Sequence, residues 1–244
     1  MLDLIAFDAD DTLWHTEHLY SDAQLRFAEL LAPYGVADDV EQRLFQTESA
    51  NLRVFGFGIK SFALSMIETA VTLTGGRIAG RDVQRVIDLA KDMLTADVQL
   101  LEHAEEAVAR LAQDFPLMII TKGDLLDQES KIERSGLGRH FKYVEIVSDK
   151  NRDSYAALLA RHNLRPEGFL MVGNSLRSDI LPVLALGARA VYVPYHLTWA
   201  HERVDPEALH GAEYVEVEHL GQLVEVAQKM KAEDLSTDGA DEAR

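Results

Sequence analysis

Two carboxylates spaced two residues apart follow the first apolar run of the chain. Residues 4–7 are all apolar, and Asp8 and Asp10 follow them. Because alternate residues of a strand point to the same face, we expect the two side chains to be close neighbours where the strand ends. Like charges this close destabilise a fold unless a cation or a shared proton relieves them. Hard oxygen ligands favour magnesium, so the spacing predicts a metal-assisted site, although Asp-rich segments also form ordinary turns.

Polar residues also follow three later apolar runs, which alternate with helical patterns from about residue 101 onward. This alternation predicts a parallel sheet covered on both faces, and such sheets bind ligands at the carboxyl ends of their strands. The residues expected there are Thr121, Lys122, Gly123 and Asp124, then Asp149 and Lys150, then Gly173, Asn174, Ser175 and Asp179. A lysine, a hydroxyl and several carboxylates at consecutive strand ends are typical of metal-assisted phosphoryl transfer. Taken singly, each is an ordinary cap, turn or solvated residue.

Four amphipathic helical patterns lie between the first strand and the alternating region, the second of them beginning near Asp38. Four such helices with short connections can bury their own apolar stripes as a small bundle. The predicted fold is therefore α/β, with a Rossmann-like parallel-sheet core that has helices on both faces and an inserted all-α bundle. We expect the core at 1–14 and 98–232, the bundle at 15–97, and a disordered acidic tail at 233–244.

Composition limits the partners and the compartment. Among 244 residues, 24 basic and 41 acidic side chains give a net charge of −17, which argues against nucleic acid or an anionic membrane as partner. The absence of cysteine removes disulfides, thiol nucleophiles and Cys-zinc sites. No apolar run reaches the ~20 residues that span a bilayer, and no signal-peptide pattern precedes the first strand. We expect a soluble, cytoplasmic protein whose oligomeric state stays open.

The motifs resemble those of the haloacid dehalogenase-like (HAD) superfamily of aspartate-nucleophile phosphatases, over the whole chain apart from the tail. They stand here as Asp8-Ala9-Asp10-Asp11-Thr12, Thr121-Lys122-Gly123, Lys150, and the segment from Gly173 to Asp179. The helical insertion after the first motif resembles the family's cap of type C1. Two positions depart from the pattern. Asn174 stands where an aspartate is usual, and an amide keeps a carbonyl oxygen but loses a charge, so we expect weaker magnesium binding. Asn151 stands where a proline commonly follows the lysine, which affects only the loop geometry.

The resemblance implies a magnesium-dependent phosphatase that hydrolyses a small phosphate monoester through an aspartyl-phosphate. Asp8 would attack the phosphorus, and Asp10 would act as acid and then as base, its pKa raised by the neighbouring carboxylate. Asp10 argues against the dehalogenase branch of the family, because a leaving halide needs no proton. Thr12 and Asp11 are expected to shape the turn, with Asp11 solvated or at the start of a helix.

The resemblance also assigns the ligands. Magnesium would lie on Asp8, the backbone carbonyl of Asp10, Asp179 and, through its amide oxygen, Asn174. The phosphoryl oxygens would be held by Thr121, Lys122, Lys150 and the backbone at Gly123. Alternatively, the Lys122 side chain faces water and only the Gly123 backbone contacts phosphate.

The cap is expected to choose the substrate, a small phosphorylated metabolite. Arg53 and Lys60, in a predicted loop at residues 51–60, are candidates to meet an anionic group. Alternatively, both cations are solvated, and Phe55 and Phe57 belong to the core of the bundle. The segment Tyr195 to Glu202 is expected to pack a loop or an interface rather than to take part in chemistry.

Three alternatives stay open. A HAD-type phosphomutase uses the same residues, and a non-catalytic member of the family is suggested by Asn174. A receiver-like phospho-aspartate switch also has an acidic pair, a threonine and a lysine at parallel strand ends. Its acceptor aspartate ends a later strand, however, and in this chain a predicted helical bundle interrupts the fold after the first strand.

Overall fold

The computed structural model describes residues 1–36 and 39–241, so the predicted start of the second helix near Asp38 lies outside the described residues. The chain divides into two compact units. The sheet unit comprises Met1–His15, Val98–Thr121 and Lys131–Arg244, and the helical unit comprises Thr16–Asp97 and Lys122–Ser130. Residues 122–130 thus belong with the helical unit, although the sequence analysis assigns them to the core.

The strands and helices follow the predicted order. The strands are β1 (Leu4–Phe7), β2 (Leu117–Lys122), β3 (Tyr143–Val147), β4 (Phe169–Gly173), β5 (Arg189–Tyr192) and β6 (Val215–Glu216). The helices are α1 (Glu17–Leu31), α2 (Val40–Phe55), α3 (Ile59–Leu73), α4 (Gly80–Thr95), α5 (Ala104–Leu111), α6 (Leu125–Ser135), α7 (Arg152–Arg161), α8 (Leu181–Leu184) and α9 (Leu223–Asp241).

The six strands form one sheet in the order β3-β2-β1-β4-β5-β6. β1 pairs in parallel with β2 and β4, and β5 pairs in parallel with β4 and β6. The predicted Rossmann-like core is therefore confirmed. In this order the direction of winding reverses between β1 and β4, and the carboxyl ends of those two strands are where such sheets bind ligands.

Both faces of the sheet are covered at its centre, because alternate residues of β1, β2 and β4 enter different cores. On one face Ile5 and Phe7 pack in a core that includes residues of α5 and α9. On the other face Leu4 and Ala6 pack with residues of α7 and α8. Burial on both faces explains why β1, β2 and β4 are almost continuously apolar.

The helical unit has a hydrophobic core of its own, to which α1–α4 all contribute. The connection between α2 and α3 is much shorter than the predicted loop at 51–60, because α2 continues through Phe55 and α3 begins at Ile59. Gly58 has φ 114°, and a Cβ there would lie 3.0 Å from the backbone nitrogen of Asp124. A glycine is therefore needed where this turn meets residues 123–124.

The final helix is longer than predicted, so the predicted boundary between core and tail at residue 232 is wrong. α9 continues past residue 232 to Asp241, where composition predicts disorder, and residues 242–244 lie outside the described residues. One physical reason is an anchor: Arg189 Nη1 on β5 donates to Asp234 Oδ2 at 3.2 Å. In the described part of the chain, no helix combines the length and the apolar character needed to cross a bilayer.

Candidate active site

Asp8 lies at the carboxyl end of β1, between the ends of the two neighbouring strands. The last residue of β1, Phe7, is level with Ile119 on β2 and with Val172 on β4. The Asp8 backbone N–H then donates to the Val172 carbonyl oxygen at 2.9 Å. The side chain is largely buried, so the register of the sheet places a carboxylate in the crevice where the winding reverses.

A buried lysine joins Asp8 to Asp179. Lys150 Nζ donates to Asp179 Oδ1 at 2.9 Å and also to Asp8 Oδ1. Burial disfavours the charged ammonium, but Asp179 and Asp8 outweigh this effect and raise the pKa of Lys150 above its ordinary value. Burial also raises the pKa of Asp179 to about 7, although Lys150 acts in the opposite direction. Three side chains from separate strand ends thus share one buried electrostatic cluster.

Asp179 reaches this cluster from a single π-helical turn, Leu176–Ile180, that follows β4. The Ser175 carbonyl oxygen accepts the N–H groups of Asp179 and Ile180, at 2.8 and 3.2 Å. Gly173 makes room for the carboxylate, because a Cβ at this position would lie 2.2 Å from Asp179 Oδ2. π-Helical turns recur at functional sites, and this one directs a carboxylate back towards the end of its own strand.

Thr12 links the motif that follows β1 to the motif that follows β4. Its hydroxyl oxygen lies 3.2 Å from Asp8 Oδ2 and 3.2 Å from Asn174 Oδ1, and it accepts the Asn174 backbone N–H at 3.1 Å. Since the hydroxyl has one hydrogen, it donates to only one of the two oxygens at a time. The sequence alone predicts only that Thr12 shapes a turn. Its role as a link depends on the pairing of β1 with β4, which the sequence does not specify.

Asp10 is held by donors that the sequence analysis missed. Lys131 Nζ on α6 donates to both of its carboxylate oxygens, at 2.7 and 2.8 Å, and Trp14 Nε1 donates to Oδ1 at 2.7 Å. These contacts favour the ionised carboxylate, whereas a carboxylate neighbour was expected to favour the protonated form. Lys131 is itself almost buried, and its ion pair with Asp10 compensates for the burial of its charge.

Asp11 shapes a turn, as expected, but the expectation that it is solvated or begins a helix is wrong. It is buried rather than solvated, and it does not begin a helix. Its φ of 61° places it in the left-handed region, where its N–H donates to the Trp14 carbonyl oxygen at 2.7 Å. The chain therefore turns back on itself directly after Asp10.

The second motif has residues in both units. Thr121 is buried near the carboxyl end of β2, in the sheet unit. The Lys122 ammonium, expected on the phosphate or in water, lies 4.4 Å from the centre of the Phe57 ring within the helical unit. Gly123 has φ 137°, and a Cβ there would lie 3.0 Å from Gln128 Nε2, so its backbone needs a glycine.

The two substrate candidates of the helical unit differ in their surroundings. Lys60 is exposed and its Nζ donates to Asp124 Oδ1 at 2.8 Å, and its substrate contact stays a prediction. Arg53 is exposed near the end of α2, and its substrate contact stays a prediction. Phe55 is 51% exposed, which overturns the alternative that places it in the core of the bundle.

The oxygen donors of the cluster suit a hard divalent cation. The carboxylates of Asp8 and Asp179 both contact the same ammonium, so they are close enough to share one cation. Among the described residues, no three His, Asp or Glu side chains form a group that could hold a metal. Magnesium commonly binds one or two carboxylates and keeps several waters, so these two carboxylates fit it. The Asn174 amide oxygen is a further oxygen donor, linked to Asp8 through the Thr12 hydroxyl.

Tyr155, on α7 close to this cluster, has a buried hydroxyl without a hydrogen-bond partner among the described residues. Burial raises its pKa well above the ordinary value. We expect Tyr155→Phe to leave the free energy of unfolding unchanged or to raise it by about 1 kcal/mol, because it removes an unsatisfied polar group. Urea denaturation measures this, and a loss of more than 1 kcal/mol would show that the hydroxyl has a partner.

Comparison with known proteins defines the class to which this fold and site belong. The family model for haloacid dehalogenase-like hydrolases matches residues 2–187. The chain therefore belongs to the haloacid dehalogenase-like hydrolase family, as the motifs predict.

Individual relatives are consistent with this membership. A haloacid dehalogenase-like family hydrolase from Xanthomonas campestris is 39% identical, with 95% of this chain and 93% of that chain covered and a TM-score of 0.84. A glyceraldehyde 3-phosphate phosphatase from Pyrococcus furiosus is 30% identical over 137 residues, or 54% of this chain and only 55% of that relative. L-2-haloacid dehalogenase from Xanthobacter autotrophicus shares the fold, with 19% identity, 93% and 99% coverage, and a TM-score of 0.63.

Proposed function

We propose that this hydrolase is a magnesium-dependent phosphatase that acts on a small phosphorylated metabolite through an aspartyl-phosphate at Asp8. The observation that carries the proposal is the contact of one buried ammonium, on Lys150, with the carboxylates of both Asp8 and Asp179. A nucleophile, a cation for phosphoryl oxygens and a second metal-binding carboxylate are thereby present together. The similarity to a glyceraldehyde 3-phosphate phosphatase supports a phosphate ester as substrate.

In the first half-reaction, an Asp8 carboxylate oxygen forms a bond to phosphorus while the bond from phosphorus to the ester oxygen breaks. Asp10 supplies the proton that the leaving oxygen requires, so it must first take up a proton from solvent, against the effect of Lys131 and Trp14. Lys150 and Thr121 stabilise the charge on the phosphoryl oxygens. Bound Mg²⁺, held by Asp8, Asp179 and the carbonyl oxygens of Asp10 and Asn174, would neutralise further negative charge there.

In the second half-reaction, Asp10 removes a proton from the water that attacks the phosphorus of the aspartyl-phosphate. The bond between phosphorus and the Asp8 oxygen breaks, which releases phosphate and regenerates the carboxylate. Lys131 and Trp14 favour the ionised form of Asp10, which is the form that a base requires. The retention of this acid–base group supports ester hydrolysis over halide displacement, in which the leaving group takes no proton.

The experiment is a screen for phosphate release from sugar phosphates, nucleotides, phosphoglycolate and glyceraldehyde 3-phosphate, with magnesium and then with EDTA. We expect repeated turnover on at least one ester and its loss on chelation. 2-Chloropropionate is included to detect chloride release, which would favour a dehalogenase. A single phosphorylation without turnover would favour a switch, and transfer of the phosphoryl group to a sugar hydroxyl would favour a mutase.

Asn174→Asp is expected to tighten magnesium binding about tenfold, because it replaces a neutral oxygen ligand with a charged one. The measurement is the magnesium concentration that gives half-maximal phosphate release. The matched control is Asn163→Asp. It adds the same charge at an exposed residue that precedes β4 in the chain, whereas residue 174 follows β4. An unchanged half-saturating concentration would mean that residue 174 lies outside the reach of the metal.

A further inference from the structure

The loop between β5 and β6, residues 193–214, contains Glu202, whose carboxylate contacts the segment that carries Asp179. Glu202 Oε2 accepts the Ser178 hydroxyl at 2.6 Å and also accepts the Ser175 hydroxyl. Both serines are buried. One carboxylate oxygen therefore binds two hydroxyl groups of the turn that follows β4.

Ser175 transmits this contact to Asp179. Its backbone N–H donates to Asp179 Oδ2 at 3.0 Å, and its carbonyl oxygen accepts the Asp179 N–H at 2.8 Å. Its hydroxyl oxygen accepts the Ser178 N–H at 3.0 Å. Because a hydroxyl has a single hydrogen, donation of that hydrogen to Glu202 directs the lone pairs towards the Ser178 N–H. Glu202 thus sets the hydroxyl orientation that closes the turn.

Two further contacts anchor the part of the loop from Tyr195 to Glu202. Arg177 Nη1 donates to the carbonyl oxygen of His201 at 2.8 Å. At the other end, the Tyr195 hydroxyl lies 2.7 Å from His15 Nδ1. Within the sheet unit, the loop is therefore attached to the segments after both β1 and β4. Glu202 connects the loop to Asp179, because it bonds to Ser175, whose backbone N–H donates to the Asp179 carboxylate.

We propose that Glu202 is a positioning residue, which holds the turn at 175–178 so that the Asp179 carboxylate is presented to the metal. The magnesium part of this inference rests on the proposed function. Groups that hydrogen-bond directly to metal ligands restrict the orientation of those ligands, and their loss typically weakens metal affinity ~10–100-fold. Glu202 lies one residue further from the ligand, so we expect an effect at the lower end of this range. Glu202 acts through Ser175 and is not itself a ligand.

Isothermal titration of the purified full chain with MgCl₂ tests the inference. Glu202→Ala is expected to weaken magnesium binding about tenfold. Glu202→Gln is expected to stay within about twofold of the wild type, because the amide oxygen can accept both hydroxyls. Glu207→Ala, which removes an exposed carboxylate from the same loop, is the matched control and should leave the affinity unchanged.

Amide hydrogen exchange without metal supplies a second readout. In Glu202→Ala, the amides of residues 175–180 should exchange faster, while those of β4 keep the wild-type rate. Unchanged magnesium affinity together with unchanged exchange would overturn the inference. Equal weakening in Glu202→Gln and Glu202→Ala would also overturn it, since charge rather than hydrogen bonding would then be responsible. A wild type that binds no magnesium would instead refute the proposed function, and exchange would still decide the role of Glu202.

Discussion

Asp8→Asn is expected to lower the rate of phosphate release more than about 1000-fold, because an amide cannot replace the carboxylate as nucleophile. The substitution keeps the size of the side chain, and its carbonyl oxygen can still accept the hydrogen bond from Lys150. We therefore expect the variant to fold. Colorimetric detection of phosphate measures the loss, and circular dichroism measures the fold.

Asp3→Asn is the matched control for this variant. Asp3 is exposed just before β1, at the opposite end of the strand from Asp8, so the same chemical change should leave phosphate release unaffected. Mass spectrometry of the wild type quenched during turnover should detect one phosphoryl group on the peptide that contains Asp8. Undiminished release from Asp8→Asn would refute the assignment of the nucleophile.

The positions of Asp8, Lys150 and Asp179 could be anticipated because each follows an apolar run that reads as a buried parallel strand. In such a sheet the carboxyl ends of all the strands lie at one edge, so position along the strand places the three side chains at that edge. β1 and β4 are neighbours, whereas β2 separates β3 from β1, and the long Lys150 side chain spans this distance to reach Asp8. The same reasoning predicts the helical segments and the two-sided core. It requires no knowledge of side-chain rotation or of loop paths.

Lys131 and Glu202 could not be anticipated on these grounds. Lys131 lies within a helix, where a lysine is normally solvated, and only the packing of α6 brings its ammonium to Asp10. Glu202 lies in a long irregular loop, whose path depends on tertiary contacts rather than on any periodic pattern. A buried lysine or a loop carboxylate has no distinctive sequence signal.

The differences at the predicted loop 51–60 and at the final helix have the same kind of cause. The pattern Phe55-Gly56-Phe57-Gly58 predicts a long loop, but each glycine marks only a local turn and the flanking residues continue their helices. The acidic tail has a composition typical of disorder, yet the Asp234 pair with Arg189 anchors the helix to the sheet. Composition describes the average tendency of a segment and misses a single anchoring contact.

Lys150→Met is expected to lower the free energy of unfolding of the metal-free protein by about 3–5 kcal/mol. Lys150 is buried between Asp8 and Asp179, and its loss leaves two buried carboxylates without that cation. Urea denaturation in EDTA measures the loss. Magnesium should restore more stability to the variant than to the wild type, because a divalent cation relieves the same repulsion.

The pH dependence of this loss separates electrostatics from packing. Burial raises the folded-state pKa of Asp179 to about 7 even with Lys150 present, and loss of the ammonium should raise it further. A group whose folded-state pKa is raised binds its proton more tightly in the folded state, so stability increases as the pH falls below that pKa. The destabilisation by Lys150→Met should therefore be smaller at pH 5 than at pH 8.

Lys60→Met is the control for this variant. It removes a half-exposed partner of Asp124 and should lower the free energy of unfolding by less than about 1 kcal/mol. An equal loss at both pH values, without recovery in magnesium, would mean that Lys150 stabilises the fold through its packing and not through its charge.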